Sequence, residues 1–221
     1  AFLLDHISSN PADFIIKHQK RFSNDIKFLA QQLNGLRRVK KKLPTWYSAP
    51  GILFPPNLNL EQASSELTAE YKRQFFKGNE TAADLTGGFG VDSWAIAKEV
   101  KTHNYIEPNA ELLEIVKANS EQLQIPNVQF FNKTAEAWLD LNHKVDLIYL
   151  DPSRRVEGQK KFKLNECMPD VVGLQDLMLN KAKKVLTKLS PLADLKAILS
   201  EWQSVSEIHV LAIKNEVKEA S

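Results

Sequence analysis

Cysteine is almost missing. Cys167 is the one thiol in 221 residues, so no internal disulfide can form and a reducing compartment is expected. No Cys/His cluster has the spacing of a zinc site, and no metal is expected. No apolar run approaches the roughly 18 residues of a membrane-spanning helix, and no secretory leader is evident. The expected setting is the cytoplasm, without a membrane partner. Repeats and low-complexity segments are absent too. What is abundant is apolar side chain: 43% of residues are hydrophobic, enough to build the core of one α/β domain and a smaller additional piece.

Net charge is only +2, but it is unevenly spread. Residues 1–50 carry nine Lys/Arg against three Asp, and the remainder carries 20 basic against 24 acidic residues. A basic leading piece on a slightly acidic body implies a polyanionic partner such as RNA. Residues 1–78 read as a helical, basic subdomain. Asn10-Pro11 is a helix start. Ser23 is the expected cap of a second helix, with Ile26, Leu29, Leu33 and Leu36 on one face, ended by Pro44. Arg37, Arg38 and Lys41 crowd its last turns, where they either match the helix dipole or contact phosphate. Trp46 and Tyr47 are near enough in sequence to stack on a base. A third helix is expected over 60–76, with Ala63, Leu67, Tyr71 and Phe75 facing the sheet.

Residues 81–107 set the chemistry of the rest, 79–221. A strand, Ala82–Leu85, runs into Thr86-Gly87-Gly88-Phe89-Gly90, then a helix, then a second strand ending at Glu107. Glycines bring bare backbone against a ligand, and the helix start offers free N–H groups. Glu107 follows Gly87 by 20 residues, where a carboxylate can accept both hydroxyls of a ribose. The unit binds a nucleoside. The dinucleotide fingerprint G-x-G-x-x-G/A is met imperfectly, since Ser93 takes the last place. Asp84 would repel a pyrophosphate but suits the ammonium and sulfonium of S-adenosylmethionine (SAM). No tyrosine–lysine or histidine constellation is placed for hydride chemistry.

The α/β alternation continues through strands expected at 128–131, 145–150, 184–189 and 207–213, with helices between them, including one over 169–181. Lys160, Lys161 and Lys163 fall in a polar loop expected over the site. The chain stops as 216–219 begins to read as a seventh strand. The closing hairpin is therefore expected to be absent or stubby, with further sequence in the parent protein. The strand 145–150 delivers Asp151-Pro152-Ser153-Arg154-Arg155 at its carboxyl end, where open parallel sheets bind ligands. An Asp-Pro pair there can accept hydrogen bonds from an exocyclic amine and aim its lone pair at a methyl donor. Methyltransferases of that kind often continue Pro-aromatic; here Ser153 and Arg154 stand instead, and Arg154 can stack or grip phosphate. C5 methylation of RNA cytosine needs a nucleophilic cysteine, and 145–155 contains none. Lys188 also ends a strand beside the expected acceptor.

With both motifs stated, the chain resembles a bacterial family of class I SAM-dependent methyltransferases with a helical N-terminal region and a C-terminal THUMP-like domain. The resemblance rests on KKLPTW (41–46), FPPNLNLEQASSELTAEYK (54–72), ADLTGGFGVDS (83–93), YIEPN (105–109), IYLDPSRR (148–155), KLSP (188–191) and KNEVKE (214–219). It implies a Rossmann-like sheet after a helical subdomain, with the last strand truncated. It implies that Asp84, Thr86, Gly87, Gly88, Gly90, Glu107 and Asp151 carry SAM and the acceptor. Asp92, Asn109 and Thr134 complete the expected cofactor set. Asp151, Pro152 and Arg154 are the expected catalytic residues, and Arg37, Arg38, Lys41, Arg155 and Lys188 the expected substrate contacts. The reading is a SAM-dependent methyltransferase acting on a base amine of RNA. An RNA-binding module that keeps SAM without catalysis, a NAD-dependent oxidoreductase, and a methyltransferase acting on protein or a small molecule are its rivals.

Overall fold

The computed structural model describes residues 2–154, 167–191, 193–202 and 204–221. Helices dominate residues 2–76: α1 (Phe2–Asp5), α2 (Pro11–His18), α3 (Ile26–Lys42), α4 (Pro44–Ser48), α5 (Asn57–Gln62) and α6 (Glu66–Lys72), with a 3-10 turn over Arg73–Phe76. Asn10 caps α2 by accepting the Ala12 N–H at 2.9 Å. The cap of α3 is not Ser23. A turn carries the chain on to Asp25, whose N–H meets the Phe22 carbonyl, and Asp25 makes no side-chain cap bond. Pro44 ends α3 and starts α4, as its missing N–H requires.

The single helix expected over 60–76 is broken. Ala63 is extended, and Ser65 caps a new start by accepting the Thr68 N–H at 3.2 Å. The break changes which face is buried. Leu67 is 69% exposed and Tyr71 is exposed, whereas Leu60, Ser64, Thr68, Lys72 and Phe76 are buried. A stripe at fourth-residue spacing does face the protein, but its middle is polar.

Thereafter strands and helices alternate: β1 (Thr81–Asp84), α7 (Val91–Ala97), β2 (Thr102–Ile106), α8 (Ala110–Gln122), β3 (Val128–Phe131), α9 (Ala135–Leu139), β4 (Val145–Leu150), β5 (Ser153–Arg154), β6 (Cys167–Met168), α10 (Gln175–Lys181), β7 (Ala182–Thr187), α11 (Leu195–Glu201), β8 (Val210–Ile213) and β9 (Glu216–Ala220). Five strands form a parallel sheet in the order β3-β2-β1-β4-β7. Period-two alternation sends Ala83, Leu85, Ile106, Ile148 and Leu150 to one face, against α9, α10 and α11. Ala82, Leu147 and Tyr149 face α7 and the 3-10 turn, and Tyr105 faces α8 and the N-terminal helices. Both faces are covered, which explains the continuous apolar run of β4.

Three expectations are corrected here. The helix expected from 169 begins at Gln175. The strand expected at 184–189 runs over Ala182–Thr187. The strand at 207–213 does not extend the parallel sheet. It becomes β8 and pairs antiparallel with β9, so the closing hairpin, expected to be absent or stubby, is present as a short one with strands of 4 and 5 residues. Lys214 and Asn215 both have positive φ, 53° and 63°, a geometry whose twist suits a two-residue hairpin. Ala220 bridges back to Leu189 and ties the hairpin to the end of β7.

Two side-chain amides fix the leading helices to the sheet unit. Gln32 of α3 accepts the Phe54 N–H and donates to the Phe54 carbonyl, at 2.8 and 2.9 Å. Asn119 of α8 does the same for Leu53, at 2.8 Å each way. The extended pair Leu53-Phe54 is thus clamped from both sides.

Candidate active site

Parallel register sets the site. Asp84 pairs with Tyr105 on one side and Tyr149 on the other, and Leu150 pairs with Thr187. Continuing each ladder by one or two residues brings Thr86, Glu107, Asp151 and Lys188 to one level at the carboxyl edge. Hydrogen bonds extend the ladders: Gly87 N–H to the Ile106 carbonyl, Lys188 N–H to the Leu150 carbonyl. A cleft of about 1210 Å³ opens there, between the strand tips, α5–α6 and the β8–β9 hairpin.

The glycine loop is held from beneath. Gly88 and Gly90 have φ of +55° and +78°, the left-handed region that glycine enters freely. A Cβ at Gly87 would run into the Tyr105 ring, whose hydroxyl donates to the Gly88 carbonyl at 2.6 Å. At Gly88 a Cβ would meet only the Thr86 carbonyl oxygen, at 3.6 Å. That residue leaves room for a ligand.

Glu107 accepts the Gly88 N–H at 3.0 Å on one oxygen and the Asn109 N–H at 2.8 Å on the other. Each oxygen keeps a second lone pair for a ribose hydroxyl. Burial raises its pKa, and those two amides oppose the rise. Asn109 and Thr134, both in the cleft wall, use their side chains as helix caps, accepting from Leu112 N–H and Ala137 N–H.

Asp84 is 1% exposed. It accepts the Thr86 N–H at 3.0 Å and the Ser93 hydroxyl at 2.7 Å. Behind Ser93 lies His103, fully buried, with Nε2 2.9 Å from the Ser93 oxygen. Burial holds the His103 pKa down to about 3, so the ring is neutral. When Asp84 is ionised, Ser93 gives its one proton to it, and His103 Nε2 then carries a proton and donates to Ser93. Burial pushes the Asp84 carboxyl up to about 7, against the Ser93 and Thr86 hydrogen bonds, and the Asp92 and Asp151 carboxylates add to the rise.

Thr86 joins the two motifs: its hydroxyl accepts the Asp151 N–H at 2.6 Å. The Asp151 carboxylate meets the Lys188 ammonium at 2.5 Å. Burial raises Asp151 and Lys188 opposes that rise. Burial alone would lower Lys188, and the Asp151 and Asp92 carboxylates turn this into a net increase. Pro152 lines the cleft beside them. Arg154 is placed by its backbone in β5, paired with Cys167. Arg155, Lys160, Lys161 and Lys163 lie outside the described residues.

Asp92 also lines the cleft, but its carboxylate is occupied. It takes hydrogen bonds from Ser64 at 2.6 Å and Tyr149 at 2.9 Å, and an ion pair from Lys72 at 3.0 Å. The basic patch is only partly at the cleft. Arg37 donates to the Ser9 carbonyl and Arg38 pairs with Glu61. The lining includes Lys42 but not Arg37, Arg38 or Lys41. Lys42 donates to the Leu60 and Glu61 carbonyls at 2.8 and 2.9 Å. Burial and the Lys188 ammonium lower it to about 8, against Glu61. Trp46 is no stacking platform: it is 1% exposed and packs against Trp94 and Phe89. Lys42 belongs to the basic run 37–42 read from the sequence, whereas no role for Lys72, Ser64 or Glu219 is legible there, although Ser64 and Lys72 share the fourth-residue spacing of Leu60 and Phe76. Among the described residues no group of three or more His, Cys, Asp or Glu could hold a metal, and no helix is long and apolar enough to cross a membrane.

The parallel sheet, with its ligand-sized cleft at the carboxyl edge, is the Rossmann-like α/β architecture of methyltransferase structures. A solved candidate methyltransferase of Porphyromonas gingivalis W83 superposes with a TM-score of 0.86 at 29% identity, over 99% of this chain and 55% of its own. A candidate RNA methyltransferase of Pyrococcus horikoshii shares the fold alone, with a TM-score of 0.51 at 13% identity, over 82% of this chain and 93% of its own. In sequence, 137 residues are 29% identical to the 23S rRNA (uracil(1939)-C(5))-methyltransferase RlmD of Vibrio parahaemolyticus, covering 58% of this chain. The corresponding protein of Aliivibrio fischeri is 28% identical over 160 residues, 65% of this chain. The chain spans only 31% and 36% of those two relatives' lengths. No protein-family model matches it.

Proposed function

We propose that this chain is the SAM-binding and methyl-transferring part of an RNA methyltransferase. The observation that carries this is one level at the sheet edge, where Glu107, the open Gly88 and the Asp151–Lys188 pair meet. SAM supplies the methyl group. Glu107 holds the ribose, the glycine loop and the start of α7 approach the amino-acid end, and Asp84 faces its cationic charge. Asp151 and the Pro152 carbonyl accept hydrogen bonds from the acceptor amine and fix its lone pair. Lys188 opposes the rise that burial imposes on Asp151 and so favours its ionised, hydrogen-bond-accepting form. Residues 1–78 form the basic subdomain that meets the polyanion, on a catalytic unit of 79–221. The resemblance to a family with a THUMP-like C-terminal domain supports RNA as the substrate, as do the names of the rRNA-methylating relatives. A cytoplasmic setting follows from such a substrate.

The curated relatives are named for methylation at uracil C5. That chemistry adds a thiolate to the pyrimidine ring before methyl transfer. Here the strand-end residue is Asp151, and Cys167 is fully buried in the apolar cluster under the sheet. An amine acceptor therefore fits this site better than a ring carbon.

Titration calorimetry with SAM, its demethylated product S-adenosylhomocysteine (SAH) and NAD tests the cofactor. Micromolar binding of the first two, lost in Glu107→Ala, is expected; binding of NAD alone overturns the reading. For the acceptor, Asp151→Ala should abolish methyl incorporation from labelled SAM into RNA and leave SAH affinity within several-fold. Near-normal turnover in that variant removes Asp151 from its role.

A further inference from the structure

Lys72 is a lysine with 1% of its surface exposed, at the last position of α6. Its ammonium lies 2.6 Å from Glu219 of β9, 3.0 Å from Asp92 of α7 and 3.4 Å from the Ser64 hydroxyl. Ser64 and Tyr149 close the group by donating to the second oxygen of Asp92. One ammonium therefore holds two carboxylates from elements far apart in sequence, α7 and β9. Glu219 is itself 2% exposed. Burying such charges is costly and only close pairing offsets it, so the geometry of each member depends on the others.

The position of Asp92 gives this group its reach. Asp92 is in the first turn of α7, two residues after Gly90, the N-cap of that helix. Displacing Asp92 displaces the first turn of α7, where Gly90 and Val91 also line the cleft. Ser64, Asp92 and Glu219 all line that cleft. The hairpin is outside the parallel sheet and is otherwise tied to it by the Leu189–Ala220 bridge.

We infer that Lys72 is a positioning residue that couples the C-terminal β8–β9 hairpin to the cofactor loop, so that cofactor occupancy and hairpin order rise together. This rests on the reading of the cleft as a SAM site. A ligand seated on the glycine loop fixes the first turn of α7, hence Asp92, hence Lys72 and Glu219. By thermodynamic reciprocity, a hairpin released from Lys72 weakens the ligand by the same factor as the ligand orders the hairpin.

The test uses SAH, calorimetry and hydrogen exchange of 210–220 with and without SAH, on the wild-type chain, Lys72→Met and Glu219→Gln. Lys72→Met strands two buried carboxylates and risks unfolding, whereas Glu219→Gln keeps the Lys72–Asp92 pair and removes only the charged link to the hairpin. In the wild type, SAH should slow exchange across 216–220. In Glu219→Gln that slowing should vanish and SAH should bind roughly five- to tenfold more weakly, at the lower end of the usual range of coupling between sites. A lowered melting temperature with wild-type affinity and wild-type slowing would mean that the group is only structural, and would overturn the coupling. If the wild type itself does not bind SAH, the cofactor reading fails and the coupling falls with it.

Discussion

Asp84 is the residue whose chemistry changes most between sequence and structure. From the sequence it is an acid before a glycine loop, suited to a cation. The structure adds a wall of protein around it, with Ser93 and then His103 behind it. Its pKa of about 7 in place of 3.8 makes the folded protein bind this proton more tightly than the unfolded chain does. Stability from this group is therefore fully present below about 3.8 and is lost as pH rises to about 7, a change on the order of 4 kcal/mol. A cationic ligand reverses the preference and favours the carboxylate. SAM binding near pH 6.5 should then release up to one proton, and affinity should rise severalfold, roughly, from pH 6 to pH 8. Calorimetry in two buffers of different ionisation enthalpy measures the proton directly. Asp84→Asn should show no release; release undiminished in that variant would assign it to another group. Ser93 and His103 were illegible beforehand because nothing in a linear sequence joins position 84 to position 103 except the pairing of β1 with β2.

At the scale of elements, the parts with strong local signals were readable and the parts set by tertiary contact were not. The glycine turn, the apolar β4 and the capped α2 and α8 follow from local chemistry. The break at 63–65 does not. Apolar spacing pointed to Leu67 and Tyr71, but burying the Lys72 ammonium beside Asp92 turns those side chains outward. The closing hairpin, expected to be absent or stubby, was only half legible: 216–219 reads as a strand, but the Lys-Asn turn before it lacks the glycine that marks a hairpin. The glycine loop offers a graded test of how tightly the element is packed. Gly87→Ala drives a methyl group into the Tyr105 ring and should cost about 1–3 kcal/mol, with at least a tenfold loss of SAH affinity. Gly78 has the opposite problem, a φ of +78° with nothing within 4 Å of an added Cβ, so Gly78→Ala should cost only about 1 kcal/mol and leave affinity unchanged. Melting temperatures and SAH titrations of the two variants decide this. Equal effects of the two variants on SAH binding would show that the Tyr105 contact does not shape the loop.

Over the whole molecule, the N-terminal helices do more than carry charge. Through Gln32, Asn119 and the clamped pair Leu53-Phe54 they are fastened to the sheet unit, and through Ser64 and Lys42 they reach the cleft itself. Their basic residues thereby divide into two groups. Arg38 is neutralised by Glu61 and Lys42 is anchored on two carbonyls, whereas Arg37 and Lys41 are exposed on α3. If RNA runs along α3 toward Asp151, each exposed cation that meets a phosphate contributes a fixed increment to the salt dependence of binding. The plot of log affinity against log salt should lose about one unit of slope for each phosphate contact removed, and somewhat less where the RNA is single-stranded. Arg37→Ala and Lys41→Ala should each flatten that slope and weaken RNA binding, with SAH affinity unaltered. Arg38→Ala should do less, because Glu61 already competes for its charge. Filter-binding titrations across a salt series give the slopes. An unchanged slope in the Arg37→Ala, Lys41→Ala double variant would mean that the positive charge of the first 50 residues serves solubility, and that the acceptor approaches the cleft from the hairpin side instead.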